Sequence, residues 1–298
     1  YLCRSAVIIL NGNKGVAGLQ QMVILAIYLF LLVLTAARFL PSEMISVRGT
    51  GRVMRRFRVG RAMTIGTRQV QEDNYGCCQS PYAFMAVLAD GMGKNYGGKV
   101  SSKITVETLK DMFSCYQPSE NPAYFFRRSF HAANTAILDE LDDGRGGASV
   151  GAVLIRDNQL YYAVAGNVKI AVYRKGALIP LSTGHTIDML AEGRFMEGAI
   201  TREQALNMLE NKRLYNYLGQ DGFEEIEFFD TPIYLKERDI VVLMSDGLYE
   251  GMDWKTIEEL LAGRKKCQQK AYEIIEAINT GNQKEKDNAS VLLVEGFL

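Results

Sequence analysis

Three aspartates in this sequence stand where buried strands are expected to begin or end. Asp90 directly follows the apolar run 82–89, Asp246 directly follows a second apolar run, and Asp287 lies just before a third. A carboxylate at a strand end is held by a rigid scaffold, and its burial is costly unless a positive charge compensates it. A single Asp-Gly pair after a strand is more often a simple turn. Two such pairs, each after a strongly apolar run, favour a site where carboxylates converge around cations.

Two further carboxylates, Glu72 and Asp73, occur near the start of the same region, whereas the chain has two histidines and five scattered cysteines without a CxxC pair. A histidine-rich metal site and a zinc-cysteine cluster are therefore excluded. Oxygen ligands without His or Cys select hard cations, Mg²⁺ or Mn²⁺. Two such ions about 3.5–4 Å apart form a hydrolytic centre for phosphate esters, and this is the chemistry that the acidic residues predict.

The composition fits a folded protein of one or two domains that works in a reducing compartment. The chain has 298 residues, of which 48% are apolar, so it can bury a sizeable core. Its 34 basic and 34 acidic residues balance, which argues against a nucleic-acid partner bound by bulk charge. An odd number of dispersed cysteines is not a disulfide framework and is typical of a reducing compartment.

Residues 22–40 are predicted to form a transmembrane helix. No charged residue occurs from 15 to 37, and Arg38 can extend its side chain to the membrane interface. A helix of this length rises roughly 28 Å, which nearly spans a hydrocarbon core of about 30 Å. Arginines are concentrated after the segment, so the positive-inside rule places its C-terminal side in the cytoplasm. A cleaved secretory signal is the competing interpretation, because residues 35–37 are small, but the basic flank disfavours translocation.

The membrane helix would divide the chain into four parts. Residues 1–21 form an N-terminal segment, residues 41–57 form a basic juxtamembrane linker, and residues 58–298 form a soluble domain in the cytoplasm. The linker has two equally weighted interpretations, since its arginines could only set the topology or could also contact anionic lipid headgroups. The expected location is the cell membrane, with a single pass.

Within residues 58–298, short strand-like runs alternate with amphipathic helical stretches. Strands are predicted at residues 82–89, 148–155, 160–165, 169–173, 240–245 and 289–295. Helices are predicted, from apolar residues at three- and four-residue spacing, at residues 97–113, 122–141, 201–211, 253–261 and 265–279. Successive hairpins interrupted by pairs of helices are typical of the α+β class, with antiparallel sheets covered by helices.

Six short motifs in this domain resemble, in order, those of protein phosphatase 2C, the family of metal-dependent serine/threonine phosphatases. They are Arg68 with Glu72-Asp73, Asp90-Gly-Met-Gly93, Gly147-Ala-Ser149, Gly166-Asn167-Val-Lys169, Ser245-Asp246-Gly247 and Asp287-Asn288. Each motif is weak by itself, but the ordered combination is specific. It runs from about residue 58 to residue 295, and the Asp90 segment resembles the bacterial form of the family.

The resemblance implies an α-β-β-α sandwich of two antiparallel sheets flanked by helices, with two Mn²⁺ or Mg²⁺ ions as cofactors. It implies that Asp90 bridges the two ions. Glu72 and the backbone carbonyl of Gly91 would bind one ion, and Asp246 and Asp287 would bind the other. All of these residues are present, which argues against an enzyme that has lost its activity.

The resemblance also implies how the site would act on a phosphate ester. Asp73 would orient a metal-activated water, which attacks phosphorus in line without a phosphoenzyme. Arg68 would hold the substrate phosphate, a task that suits a guanidinium because its donors form a planar fork. The cations and Arg68 would offset the negative charge that develops during the attack.

The chain departs from the family at positions that would line a weaker, third metal site. Asn167 and Lys169 stand where the family has an aspartate and an arginine. Arg145 and Glu250 stand where some relatives have aspartates. An amide is a poorer ligand than a carboxylate, and a guanidinium repels a cation. A third ion is therefore in doubt.

Residues 181–221 correspond to the flap of the family and contain His185. His185 could reach the substrate as an acid or a base. No neighbouring carboxylate in the sequence orients its ring, and a lone histidine in a loop is more often structural. The structural role is favoured, and the catalytic role stays open.

The sequence thus predicts a membrane-anchored cytoplasmic enzyme that removes phosphate from phosphoserine and phosphothreonine in proteins and opposes a serine/threonine kinase. Its catalytic domain is expected to be monomeric. The alternative from another class is a pseudophosphatase that binds phosphoproteins without turnover. The intact ligand set favours the enzyme, while Asn167 and Arg145 leave room for the alternative. A regulator that acts on one small phosphoprotein is a further alternative to a broad phosphatase.

Overall fold

A computed structural model describes residues 57–117, 120–141, 146–209, 213–229 and 231–296, which contain eleven strands and seven helices. The strands are β1 (Phe57–Thr64), β2 (Asn74–Gln79), β3 (Phe84–Gly93), β4 (Gly146–Arg156), β5 (Gln159–Ala165), β6 (Lys169–Arg174), β7 (Ala177–Pro180), β8 (Glu227–Phe228), β9 (Ile233–Tyr234), β10 (Ile240–Met244) and β11 (Ala289–Gly296). The helices are α1 (Gly97–Ser114), α2 (Pro122–Glu140), α3 (Ile187–Met196), α4 (Arg202–Leu209), α5 (Asp246–Tyr249), α6 (Trp254–Leu261) and α7 (Cys267–Thr280).

The strands form two antiparallel sheets that pack face to face. One sheet has the order β1-β11-β10-β6-β7, and the other has the order β2-β3-β4-β5-β8, with β9 also paired to β5. Side chains alternate along each strand, so one face of each sheet can point at the other. Leu88 and Val164 from one sheet share a buried core with Leu243 and Leu292 from the other.

Helices cover the outer face of each sheet. Leu109 of α1 and Phe126 and Phe130 of α2 pack on the sheet that contains β3, β4 and β5. Ile257 of α6 and Ile274 of α7 pack on β10 and β11 of the other sheet. The three- and four-residue spacing of these apolar residues places them on one face of each helix. The predicted α+β class, with two antiparallel sheets covered by helices, is confirmed.

The predicted strands and helices are found near their expected positions, but the prediction omits β1, β2, β7, β8, β9, α3 and the one-turn helix α5. Exposed arginines interrupt the apolar pattern of β1. Charged side chains are tolerated in this strand because it lies at the edge of its sheet. At Gly60 of β1, a Cβ atom would lie 2.2 Å from the carbonyl oxygen of Cys267. The close approach of α7 therefore explains the glycine in this strand.

Among the residues that the structure describes, no helix is both long enough and apolar enough to span a membrane. The transmembrane helix predicted at residues 22–40 lies outside the described residues. The N-terminal segment 1–21 and the linker 41–57, except for Phe57, lie outside them as well.

Candidate active site

The acidic residues singled out in the sequence lie at one edge of the sandwich. In the antiparallel pairs, β3 ends beside the start of β2, and β10 ends beside the starts of β6 and β11. Asp90 is near the end of β3, and Asp246 begins α5 shortly after β10. Asp73 and Asp287 lie just before β2 and β11. Asp90 is paired across the sheet with Ser149 of β4.

Asp90 and Asp246 are close enough to share a hydrogen bond. Both residues keep some exposed surface, but protein encloses their carboxyl groups. Burial, repulsion from Asp246 and Asp73, and the hydrogen bond to Asp246 raise the pKa of Asp90 well above its ordinary value. Burial also raises the pKa of Asp246, and hydrogen bonds from Asp90 and Asn167 oppose the shift. Such a pair binds a proton or a cation readily.

Asp73 has the smallest exposed surface of the predicted acidic residues. It is 5% exposed, and its Oδ2 accepts a 2.8 Å hydrogen bond from Oγ of Ser245. Burial raises the pKa of Asp73 to about 6; the hydroxyls of Ser290 and Ser245 oppose the shift, and repulsion from Asp246 and Asp287 adds to it. Oγ of Ser245 makes a hydrogen bond to Asp73, whereas Oγ of Ser290 is buried without a hydrogen-bond partner in the described structure. Within the described structure, Oδ1 of Asp73 is buried without a hydrogen-bond partner, which fits the predicted role of orienting a water.

Asn288 fastens the loop between β1 and β2, which carries Arg68 and Glu72. Its Oδ1 accepts from the backbone N–H of Glu72 at 2.7 Å, and its Nδ2 donates to the carbonyl oxygens of Ile65 and Val70, both at 3.0 Å. Asn288 is 5% exposed, so these three backbone groups are satisfied away from water. In the sequence, Asn288 is marked only as part of a motif, and nothing there shows that it holds a residue 216 positions away.

Arg68 and Asp287 contact each other in the structure. Nη2 of Arg68 lies 2.6 Å from Oδ2 of Asp287. The sequence predicts instead that Arg68 binds a phosphate and that Asp287 binds a cation. The two side chains are 60% and 44% exposed, and exposed ion pairs contribute at most about 1 kcal/mol. Each side chain can therefore exchange its partner at low cost.

The N-terminus of α1 packs directly against Glu72 and Gly91. A Cβ atom at Gly98 would lie 2.6 Å from Oε1 of Glu72, and one at Gly91 would lie 2.0 Å from the carbonyl oxygen of Gly98. Only glycine fits at these two positions. The backbone N–H of Lys99 donates to Glu72, which is favourable for a carboxylate at a helix N-terminus. Burial has the larger effect and raises the pKa of Glu72.

Among the residues that depart from the family pattern, Asn167 reaches the carboxylates directly. Its Nδ2 donates to Oδ2 of Asp246 at 3.0 Å. Lys169 donates instead to a backbone carbonyl of the flap, and Glu250 is exposed. Arg145 lies outside the described residues.

His185 supports the backbone beside the site. It is 6% exposed, and its Nδ1 accepts a 3.1 Å hydrogen bond from the N–H of Gly166. The carbonyl of Gly166 in turn accepts from the N–H of His185 at 2.8 Å. An accepting Nδ1 requires that the ring carry its proton on Nε2, and burial lowers the pKa of His185. This geometry supports the structural role over the catalytic one.

The described residues contain no group of three or more His, Cys, Asp or Glu side chains already placed to hold a metal ion. The donor set nevertheless fits hard cations, because it consists of oxygen ligands, its members repel one another, and Oδ1 of Asp73 lacks a donor. A complete ligand set requires side chains to turn from these positions. The exposed pair of Arg68 and Asp287 can do so at low cost.

Comparison with known proteins finds relatives of one kind, although no family model matches the chain. The serine/threonine phosphatase stp of Listeria monocytogenes is 27% identical over 236 residues, covering 76% of this chain and 91% of the relative. A putative protein phosphatase 2C-type protein of Streptococcus pyogenes is 26% identical over 218 residues, covering 70% of this chain and 85% of the relative.

Among solved structures, the catalytic domain of the serine/threonine phosphatase PstP, in complex with two manganese ions, has the same fold. The TM-score is 0.65 at 23% identity, covering 81% of this chain and 99% of that structure. The chain thus has the two-sheet sandwich fold of that phosphatase domain, with carboxylates gathered at one edge of the sandwich. The predicted resemblance to the protein phosphatase 2C family is confirmed, and this chain is a homologue of the bacterial serine/threonine phosphatases.

Proposed function

We propose that the chain is a metal-dependent protein phosphatase that hydrolyses phosphoserine and phosphothreonine in proteins. The observation that carries the proposal is the cluster of enclosed carboxylates of Asp73, Asp90 and Asp246 in a homologue of serine/threonine phosphatases. Burying several like charges lowers stability, so a purely structural role does not account for the cluster. Enclosed groups with strongly raised pKa values are typical of functional sites.

The proposed cofactor is a pair of Mn²⁺ or Mg²⁺ ions, in agreement with the two manganese ions of PstP. Asp90 would bridge the two ions. Glu72 and the carbonyl of Gly91 would hold one ion, and Asp246 and Asp287 would hold the other. When bound, the ions supply a nucleophile from water at neutral pH and offset the charge of the phosphate.

Arg68 is proposed to bind the substrate phosphate, and Asp73 is proposed to orient the attacking water. Arg68 lies at the exposed rim, where release of Asp287 frees its fork of donors for two phosphate oxygens. Oδ1 of Asp73 is a buried acceptor without a donor in the described structure. It can therefore accept a hydrogen bond from the water and fix its direction of approach.

Hydrolysis of a phosphothreonine peptide by the full chain tests this function. Phosphate release should require Mn²⁺ or Mg²⁺, stop in EDTA, and be lost in Asp90→Asn. Asp111→Asn, at an exposed aspartate of α1, is the matched control and should retain full activity. Hydrolysis that persists in EDTA would contradict a metal-dependent mechanism.

The alternative function is a pseudophosphatase that binds phosphoproteins without turnover. The observation in its favour is that Arg68, the proposed phosphate ligand, is paired with Asp287. The same assay separates the two functions. Binding of the peptide without phosphate release at any Mn²⁺ concentration would support the pseudophosphatase.

We also propose that residues 22–40 anchor the protein in the cell membrane as a single-pass helix, with the catalytic domain, residues 58–298, monomeric in the cytoplasm. The uncharged run and the arginines that follow it support this topology. There the enzyme would oppose a serine/threonine kinase. The 298-residue chain should sediment with membranes, and a chain lacking residues 22–40 should not. Recovery of the 298-residue chain in the soluble fraction would contradict the anchor.

A further inference from the structure

The turn between β5 and β6 connects the two sheets and packs tightly against Ser149. Gly166 in this turn has a φ of +100°, and a Cβ atom there would lie 2.2 Å from Oγ of Ser149. Only glycine adopts this conformation at such close range without strain. The backbone of the turn is therefore fixed where it presents Asn167 to Asp246.

Both ends of the Asn167 side chain are hydrogen-bonded. Oγ of Ser149 donates to Oδ1 at 2.8 Å, and Nδ2 donates to Oδ2 of Asp246 at 3.0 Å. The chemistry of the neighbours determines this orientation of the amide. Oγ of Ser149 already accepts the backbone N–H of Asn167 at 3.2 Å, so its own proton is available to Oδ1. With Oδ1 accepting from Ser149, the amide nitrogen faces Asp246 and donates to its Oδ2.

Two further residues hold the backbone of the turn. His185 exchanges two hydrogen bonds with Gly166, at 3.1 and 2.8 Å. Oη of Tyr249 donates to the carbonyl oxygen of Asn167 at 2.9 Å, and Tyr249 is the last residue of α5, the helix that begins with Asp246. Asn167 is thus tied to this helix through both its side chain and its backbone.

We propose that Asn167 is a positioning residue that fixes the carboxylate of Asp246 through a neutral donor. The proposal rests on the proposed function, in which Asp246 is a metal ligand. A hydrogen bond to one carboxylate oxygen orients the group and leaves the other oxygen for a cation. An aspartate at this position would place two carboxylates in contact and would require a proton or a further cation between them. With asparagine, the site is built for two ions.

The Mn²⁺ affinity of the full chain, measured by calorimetry, tests this role without relying on turnover. Removal of a residue that orients a metal ligand typically weakens metal affinity about 10–100-fold. Asn167→Ala should therefore weaken Mn²⁺ binding at least about tenfold. Ser149→Ala should weaken it less, because only the bond that steadies the amide is lost. Asn207→Ala, at an exposed residue of α4, is the matched control and should leave the affinity unchanged.

Asn167→Asp separates positioning from a loss of packing, because its side chain has nearly the same shape. In EDTA, the Asn167→Asp variant should melt at a lower temperature than the wild type. In excess Mn²⁺, the variant should bind three ions, whereas the wild type should bind two. This variant and Ser149→Ala decide the question even if Asn167→Ala does not fold.

Two outcomes would overturn the inference in distinguishable ways. If the wild type binds Mn²⁺ and the Asn167 and Ser149 variants keep its affinity and stoichiometry, the positioning role is wrong and the proposed function stands. If the wild type binds no Mn²⁺, both the positioning role and the proposed function are wrong.

Discussion

The enclosed carboxylates should make the metal-free protein more stable in mild acid than at neutral pH, and Asp73 allows this effect to be measured. Burial raises the pKa of Asp73 from its ordinary value of 3.8 to about 6. Because the folded-state pKa is the higher one, the folded protein binds this proton more tightly than the unfolded protein. The stabilisation is fully present below about pH 4 and is lost as the pH rises through about 6. The complete change is about 3 kcal/mol, at roughly 1.4 kcal/mol per pKa unit.

The assay is urea unfolding of the wild type and Asp73→Asn in EDTA at two pH values, about 5 and 7.5. Roughly half of the change, about 1.5 kcal/mol, falls in this interval. On acidification, the free energy of unfolding should rise in both proteins. The rise should be larger by about 1.5 kcal/mol in the wild type than in Asp73→Asn. Asp90 and Asp246 titrate in both proteins, so the difference between the two trends reports the burial of Asp73 together with its repulsion of Asp90 and Asp246. Saturating Mn²⁺ should diminish the trend, because it stabilises the ionised carboxylates of the folded state.

Equal pH trends in the two proteins would refute the reasoning, since they would mean that burial does not destabilise the ionised Asp73. If acidification lowered the stability of the wild type relative to that of Asp73→Asn, the expected sign of the pH dependence would be wrong. Asp111→Asn, at an exposed residue, is the control and should follow the wild-type trend.

Substitutions at three other residues test separate parts of the site. Asp90→Asn should abolish phosphate release with an unchanged circular dichroism spectrum; more than about a tenth of wild-type activity at saturating Mn²⁺ would exclude a bridging role. Arg68→Ala should raise KM for a phosphopeptide while calorimetry shows nearly unchanged Mn²⁺ affinity, and Arg68→Lys should restore KM only partly, because lysine lacks the planar fork. A large loss of Mn²⁺ affinity in Arg68→Ala would place Arg68 in the support of the metal site instead. Asn288→Ala should lower the free energy of unfolding by roughly 3 kcal/mol and speed hydrogen exchange in residues 65–72; unchanged exchange there would contradict its role in fastening the loop.

The central strands and the covering helices could be predicted because each buries a long apolar face. β10 is apolar along its whole length and is buried throughout, so the sequence alone marks it. β1 could not be predicted in this way, because the exposed arginines Arg58 and Arg61 interrupt its apolar residues. β8 and β9 have two residues each, which is too short for any periodic pattern.

The carboxylates of the site could be predicted from the sequence because apolar strands flank them. The residues that they contact in the folded protein could not be predicted. Arg68 and Asp287 are 219 positions apart in the chain, and Asn167 and Asp246 are 79 positions apart. Contacts of this range depend on strand order and register, which the hydrophobic pattern of single strands does not specify. The hydrogen bond that His185 accepts likewise depends on the turn at Gly166 rather than on its neighbours in sequence.

The pairing of β1 with β11 determines when the site can exist during synthesis of the chain. The first described strand pairs along its length with the last one, and Asn288, just before β11, holds the loop that carries Glu72. Ile65 and Asn288 are 223 positions apart, and closing a loop of that length costs about 5 kcal/mol of entropy for an ideal chain. The hydrogen bonds of the loop therefore form only once the sandwich supports them. The proposed phosphatase would therefore stay inactive until β11 has been synthesised and has docked beside β1.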